Sequence, residues 1–451
     1  MQVDCAGGPR RAGHPVWQAR QVHAKMRAMS RAMSIESTRS WVATAAALGV
    51  MSVGFGAPYV TVAALKPIAA ELGGERTVPA LCYSLVWLGT AVGGVLWAPV
   101  AERIGLRTTA MFGGVMIALG LFLASRGTPA ALYVSHGLLI GLFGLGCINA
   151  PSYVYVSRWF DRHRGTALAL ISSGNFIAGA LWPSLFEGSI TAFGWRHTMM
   201  LYAAVVLALV LPAAWIFLDP PPGPELSSAF PGDRLQSGKP VLGLNANLVL
   251  GLIAAASFLC CVPMAMPQSH LIALCSDLGI GAEIGAVMLS VLLGTGFLSR
   301  QFWGWLSDRI GGLKTVLLSS LCQALAMTAF EFTQDETGLF TVSAFFGFGF
   351  SGLVPAYVLA IRELFPSSEA SWRVPIMMMC SGSGMAAGGW IAGALYDHFG
   401  FYGAAFAAGI FANILNLAVV GFLVARSWRV PGPRRRAHFA NATGREISTT
   451  L

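Results

Sequence analysis

Charge is the scarcest feature of this 451-residue chain. Asp, Glu, Lys and Arg make up 11% of it, against 55% apolar residues; soluble domains carry about 25% charged residues. A soluble core cannot hide that much apolar surface, so most of it has to face lipid or other spanning helices. Catalytic equipment is equally sparse. There is no nucleophile–base set, no phosphate-cradling glycine loop with its lysine and no Cys/His ligand spacing. This argues against an enzyme, an ATP-driven pump, a bound cofactor and a metal site. The eight cysteines (Cys5, Cys82, Cys147, Cys260, Cys261, Cys275, Cys322 and Cys380) are scattered through apolar segments without a CxxC. They read as small packing residues rather than disulfide partners. The first 34 residues hold no apolar run of signal-peptide length.

What the chain does have is long apolar stretches. A spanning helix needs ~20 apolar residues for a ~30 Å hydrocarbon layer. Twelve such stretches are legible, at roughly 41–65, 78–100, 108–126, 130–157, 165–187, 198–218, 246–272, 283–306, 314–333, 337–364, 372–397 and 402–425. The expected fold class is therefore an all-α membrane protein of twelve transmembrane helices. A Pro-, Gly- and Ser-rich polar stretch from Asp219 to Lys239 divides the chain. The expected organisation is a basic tail (1–40), a first six-helix bundle (41–218), a central loop (219–245), a second six-helix bundle (246–425) and a second basic tail (426–451).

The formal charge of +9 comes from the tails. Residues 1–34 hold six Lys/Arg against one Asp, and residues 426–451 hold six Arg against one Glu. Basic tails suit the anionic cytoplasmic leaflet, so lipid is the expected partner and nucleic acid is not. Between spans, Arg103 and Arg107, then Arg158, Arg162 and Arg164, then Arg309 and Lys314, then Arg362 and Arg373 fall on alternate connections. The positive-inside rule makes those connections and both termini cytoplasmic, in a cell inner membrane. Outer-side acids Glu187, Glu331 and Asp397 read as solvated span ends.

The halves echo each other. Glu102-Arg103-Ile104-Gly105-Leu106-Arg107 follows the second span, and Asp308-Arg309-Ile310-Gly311-Gly312-Leu313-Lys314 follows the eighth. Such an internal repeat is expected of a transporter built from duplicated bundles, here two pseudo-symmetric ones. The prolines Pro58, Pro151, Pro263, Pro267 and Pro355 fall in the first, fourth, seventh and tenth spans. They suit a gating motion, although membrane helices also tolerate proline generally.

Arg300 stands alone in the apolar run from Ala286 to Leu306. A guanidinium cannot shed its proton, and placing it at the centre of a spanning helix costs roughly 2.5–3.5 kcal/mol. It therefore binds something anionic, forms a structural pair or snorkels to the interface, which lies about 9 Å from it at 1.5 Å per residue.

Twelve spans, a cytoplasmic hinge after the sixth and paired acid-Arg-x-Gly turns resemble the major facilitator superfamily. Gly304, Asp308, Arg309, Gly311 and Lys314 fit its signature loop; the first copy departs, with Glu102 for the Asp and Ala98 for the leading Gly. Asn149-Ala150-Pro151, the run Trp159-Phe160-Asp161-Arg162-His163-Arg164-Gly165 with Ala167, and Arg300 four residues before Gly304 resemble the monocarboxylate transporter and oxalate:formate antiporter group. The resemblance implies secondary transport of a small organic anion, a monocarboxylate, with Arg300 as counter-ion. It also implies alternating access controlled by both loops (Glu102, Arg103, Gly105 and Arg107 in the first), and a monomer. Gly296 stands where proton-coupled monocarboxylate carriers have an Asp. Tyr59 stands near the place of their first-span Lys, and the eleventh span lacks the antiporter's Lys. One deep cation suits a monoanion. The proton, a candidate coupling ion, then has to use the substrate, His270 or a span-end acid.

The remaining substrate-site candidates each have a plainer alternative. Asn149 either bonds substrate or satisfies carbonyls freed by Pro151. Asn175 is a ligand or interhelical glue. His270, beside Gln268, is a gate, a proton carrier or interfacial packing. Tyr59 is a hydroxyl on the cavity wall or a packing residue. For the loop acid Asp308 the alternatives are capping a helix N-terminus, pairing across the halves or lying in solvent. Efflux of a neutral or hydrophobic compound, and a non-transporting sensor or scaffold, are the competing functions.

Overall fold

The computed structural model describes residues 37–160, 163–220 and 240–429. Most of both expected basic tails and of the central loop, together with Asp161 and Arg162, lie outside the described residues. Apart from one isolated bridge between Val241 and Leu244, every regular element among the described residues is helical.

The first half consists of α1 (Thr38–Ala63), the short α2 (Leu65–Glu71), α3 (Thr77–Ile104), α4 (Leu106–Ala124), α5 (Pro129–Val134), a π-helical stretch (Ser135–Leu145), α6 (Gly146–Trp159), α7 (Arg164–Ile171) and α8 (Gly174–Phe217). The second half consists of α9 (Ala246–Asp277), α10 (Ala282–Ile310), α11 (Gly312–Phe332), α12 (Glu336–Phe350), α13 (Leu353–Leu364), α14 (Ser367–Phe399) and α15 (Gly403–Arg429).

Among the described residues, ten helical segments are long and apolar enough to cross a membrane, where the sequence led us to expect twelve. The difference has two sources. The expected fifth and sixth spans run together as Thr166–Phe217, 52 residues, or about 78 Å at 1.5 Å per residue. This segment is broken at Gly194, whose backbone (φ 79°, ψ 160°) is not helical. The expected eleventh span is α14, 33 residues long, in which Ser381, Gly382, Ser383, Gly384, Gly388 and Gly389 dilute the apolar character. Two of these glycines are required by packing. A side chain at Gly384 or Gly388 would meet the Phe258 or Val262 carbonyl of α9 at 2.3 or 2.1 Å, so α9 and α14 pack backbone to backbone.

The repeated sequence string has a repeated geometry. Gly105 ends α3 with φ 83° and ψ 154°, and Gly311 ends α10 with φ 85° and ψ 161°. Only glycine reaches that region without steric cost, so each turn reverses the chain directly into the next helix. The two halves meet where α3 packs on α14, α8 on α10 and α1 on α9. Two further breaks prepare the site: Ser172–Ser173 between α7 and α8, and Ser351–Gly352 between α12 and α13.

Candidate functional site

A cavity of about 820 Å³ lies between the halves. Its wall is mostly apolar, with Phe55, Trp87, Phe176, Phe350, Met264 and Met385 among its larger side chains, and Arg300, Asn149 and Asn175 also line it. Toward the end carrying the Gly105 and Gly311 turns, the wall includes the exposed residues Val95, Arg362, Met378 and Met379; toward the other end it includes the buried Gln268. The cavity thus opens at the loop-repeat end and is shut at the opposite one.

Arg300 sits where both helix breaks converge. Its Nη1 donates to the Ser172 carbonyl at 2.5 Å and to the Ser172 hydroxyl at 2.6 Å, and Nε reaches the Ser351 carbonyl at 3.4 Å. Carbonyls at a helix C-terminus lack intrahelical partners and carry negative partial charge, so a cation is held there. The guanidinium also lies over the Phe176 ring, 4.5 Å from its centre, and Phe176 stacks on Phe350 at 5.6 Å. No carboxylate among the described residues pairs with Arg300, although the residue is only 8% exposed. α10 continues to Ile310, beyond the expected span end, so Arg300 lies about 15 Å from the helix end rather than about 9 Å. Anchored to Ser172, it does not snorkel.

Gly296 has a packing reason. A Cβ there would meet the Phe176 ring at 2.6 Å, so Phe176 occupies the space that a carboxylate at position 296 would need. Sequence reasoning missed Phe176, Ser172 and Ser351, because their approach to Arg300 depends on how α8 and α12 pack against α10.

The other candidates separate. Asn149 lines the cavity and makes no side-chain hydrogen bond among the described residues. Asn175 also lines it, and its Oδ1 accepts from the Tyr59 hydroxyl at 3.3 Å. Tyr59 is itself 1% exposed and stands behind the wall rather than on it; it positions Asn175. His270, expected to touch substrate, is also off the cavity wall. It is 1% exposed, with Nδ1 3.0 Å from the Tyr402 hydroxyl and Nε2 3.0 Å from the Gly389 carbonyl.

His270 underlies a latch that closes the far end. Arg76, just before α3, donates through Nη1 and Nη2 to Asp277 at 2.6 Å each, and through Nη1 to the Tyr402 hydroxyl at 2.8 Å. Lys66 reaches the same Asp277 at 3.0 Å. Asp397 accepts from the Arg76 and Thr77 backbone N–H groups at 2.8 Å each, and from the Thr77 hydroxyl. Asp397 is therefore not a solvated span end: it caps the N-terminus of α3 from the other half. Arg76 also lies 3.7 Å from the centre of the Tyr396 ring. The sequence did not disclose this clasp, because its partners are about 200 to 320 residues apart.

Among the described residues the loop-repeat end has no such clasp. Asp308 is exposed in the last turn of α10 and has no ion pair or hydrogen bond among the described residues. The N-terminus of α11 is instead capped by Glu363, whose Oε2 accepts from Gly312 N at 2.9 Å, so Asp308 neither caps nor pairs here. Arg309 lies 4.0 Å over Trp305, and Gly304 has open space where a side chain would go. Lys314 and Arg103 are exposed. Glu102 faces Arg158 at 3.4 Å, and Arg107 and Arg39 both bond Asp219. The Arg39 hydrogen bond, followed by the charges of both arginines, holds the Asp219 carboxyl below its usual range.

The model of the Major Facilitator Superfamily matches residues 42–300 and again residues 253–449. Monocarboxylate transporter 13 of Bos taurus is 28% identical over 382 residues, covering 82% of this chain and 84% of its own. Monocarboxylate transporter 11 of Homo sapiens is 27% identical over 391 residues, covering 84% and 74%. MFS-type transporter pynF of Aspergillus niger is 24% identical over 334 residues, covering 71% and 74%. Among solved structures, a POT family transporter in complex with 5-aminolevulinic acid aligns with a TM-score of 0.63 at 14% identity, over 86% of this chain and 96% of that one. A bacterial homolog of the human lysosomal transporter Spinster, inward-facing and occupied, aligns at 0.62 and 13%, over 87% and 96%.

Proposed function

Because the chain belongs to the Major Facilitator Superfamily, a family of membrane transporters and not of enzymes, we propose that it carries a monocarboxylate by alternating access, with Arg300 as its counter-ion. The observation that carries this reading is a buried guanidinium on a cavity wall with no carboxylate partner among the described residues. A buried charge is costly unless paired. Two serine carbonyls and a ring hold the group in place without neutralising it, and an incoming carboxylate would. A single deep cation favours a monoanion. The names of two relatives, both monocarboxylate transporters, support the same class.

The architecture we infer is twelve crossings in two bundles of six. The helix broken at Gly194 supplies two crossings, and α14 supplies one whose Gly/Ser face packs on α9. The arginine-rich loop-repeat end is then cytoplasmic, in an inner membrane, and the structure is an inward-open state with its outer end latched. Asn149 and Asn175 orient the substrate, and Tyr59 supports Asn175. Asp308 and the two loop turns serve the opposite state. His270 is the candidate proton site. With Nε2–H donated to Gly389, its Nδ1 accepts from Tyr402, whose oxygen accepts from Arg76. A second proton on the ring would remove that acceptor close to the Arg76 cation, in the field of Asp277 and Asp397, and loosen the latch.

A second reading, efflux of a neutral hydrophobic compound, is favoured by the Met-rich and aromatic wall, which suits promiscuous binding. Counterflow of labelled monocarboxylates in proteoliposomes separates the two. Saturable exchange that is lost in Arg300→Ala supports the anion reading. Exchange of neutral hydrophobic compounds that is indifferent to Arg300→Ala supports efflux, and no exchange of either supports a scaffold.

A further inference from the structure

The cavity carries two buried polar atoms that its helices leave unsatisfied. Gln268, 1% exposed and on the cavity wall, donates through Nε2 to the Met264 carbonyl at 3.1 Å. That bond fixes the amide orientation, and the remaining Oε1 is buried without a partner among the described residues. Across the cavity, the indole N–H of Trp87 is buried beside the Tyr83 hydroxyl, and neither group completes a hydrogen bond among the described residues. Buried polar groups are nearly always satisfied; Trp87 lines the cavity and Tyr83 does not, so Gln268 and Trp87, on opposite sides of the cavity, point to a ligand that supplies the partners.

Their depth is informative. Gln268 lies nine residues inside the latched end of α9, and Trp87 ten residues inside the start of α3, about 14 and 15 Å in at 1.5 Å per residue. Arg300 lies eighteen residues from the same end of α10, about 27 Å in. The orphans thus sit at matched depth, roughly 12 Å from the Arg300 backbone along the helix axes. Between the two poles the wall is apolar and aromatic: Phe55 lies against Trp87 at 5.9 Å, and Phe176 and Phe350 lie beside Arg300.

We propose that Gln268 and Trp87 form a second polar subsite, and that the substrate is an elongated monocarboxylate with an aromatic or bulky apolar body and a hydroxyl-type group at its far end. A hydroxyl suits both orphans, since it donates to Gln268 Oε1 and accepts from Trp87 Nε1. The cavity volume agrees: 820 Å³ is far more than a two- or three-carbon acid fills. The proposal rests on the reading of Arg300 as the carboxylate site and adds the other end of the molecule.

The test is calorimetric binding to the purified full-length protein of para-hydroxyphenylpropanoate, of phenylpropanoate, which differs only in the terminal hydroxyl, and of acetate. The hydroxylated acid should bind about tenfold tighter than phenylpropanoate, and acetate weakest. Gln268→Leu should reduce the hydroxyl preference to within about twofold, and Trp87→Phe should reduce it independently. Equal affinity of the two aryl acids for the native protein, or a preference that survives both substitutions, overturns the second subsite and leaves the carboxylate site standing. Failure of all three acids to bind, or equal binding by Arg300→Ala and the native protein, overturns the carboxylate reading itself.

Discussion

The two ends of this molecule share a duplicated chain reversal but are held differently. At the loop-repeat end, Gly105 and Gly311 adopt nearly the same backbone conformation, yet the ion pairs seen there among the described residues stay within one half: Glu102 with Arg158, Arg39 and Arg107 with Asp219, and Glu369 with Arg373. At the opposite end, beside the within-half pair of Glu71 with Arg196, ion pairs also cross between halves, from Lys66 and Arg76 to Asp277. The halves are therefore tied in this structure by residues that do not repeat: the duplicated turns reverse the chain, and the unrepeated Arg76–Asp277–Asp397 clasp joins the halves at the shut end.

The largest effect should come from removing the centre of the clasp. Arg76 is 8% exposed at its side chain and Asp277 24%. Breaking a buried pair costs 3–5 kcal/mol, which we discount to about 2 kcal/mol for the partial exposure of Asp277; that corresponds to about a 30-fold shift between shut and open forms of the clasped end. Spin labels on Glu75→Cys and Glu283→Cys, exposed residues on either side of the clasp, should show a wider distance distribution in Arg76→Ala. An unchanged distribution would mean that the clasp does not hold the state.

His270→Ala should act in the same direction with a smaller effect. It removes the hydrogen-bond partners of Tyr402 and the Gly389 carbonyl, about 1–2 kcal/mol, and the same label pair should report a shift of roughly tenfold. At the other end, Asp308→Asn should leave that label distance unchanged, because Asp308 has no partner among the described residues to lose in this state. Its effect should fall on the rate of substrate exchange, through the opposite conformation. A widened clasped end in Asp308→Asn would break the contrast between the ends. Glu102→Gln should change least, since its pair with Arg158 is long and half-exposed and exposed pairs contribute about 0–1 kcal/mol. Exchange rates within twofold of native are expected, and a larger loss would give the first loop a role this structure does not supply.

Legibility in the sequence followed the range of the interactions. The apolar runs, the repeat and the isolation of Arg300 are local patterns and could be read directly. The break at Gly194 could not, because a glycine inside a membrane helix and a glycine that turns the chain look alike until the backbone is seen. Asp397 looked like a solvated span end because its partners, Arg76 and Thr77, lie at the start of another helix in the other half. Gly296 looked like a missing carboxylate, and only the packing of α8 on α10 reveals that the Phe176 ring fills the space. His270 was recognised as a gate candidate from its position, but its partners Tyr402 and Gly389 were not, nor that it lies off the cavity wall.

The central claim is that Arg300 is an anion site and not merely a pin between helix breaks. The direct measurement is equilibrium binding of a labelled monocarboxylate to purified native protein, Arg300→Lys and Arg300→Ala, with the Glu75→Cys/Glu283→Cys distance recorded on each as a check of the fold. Loss of one partner from a buried charge pair costs about 2–5 kcal/mol, so Arg300→Ala should bind at least about 30-fold more weakly at an unchanged label distance. Arg300→Lys should not restore binding, because a point charge lacks the planar fork. Binding by Arg300→Ala within twofold of native would contradict the account.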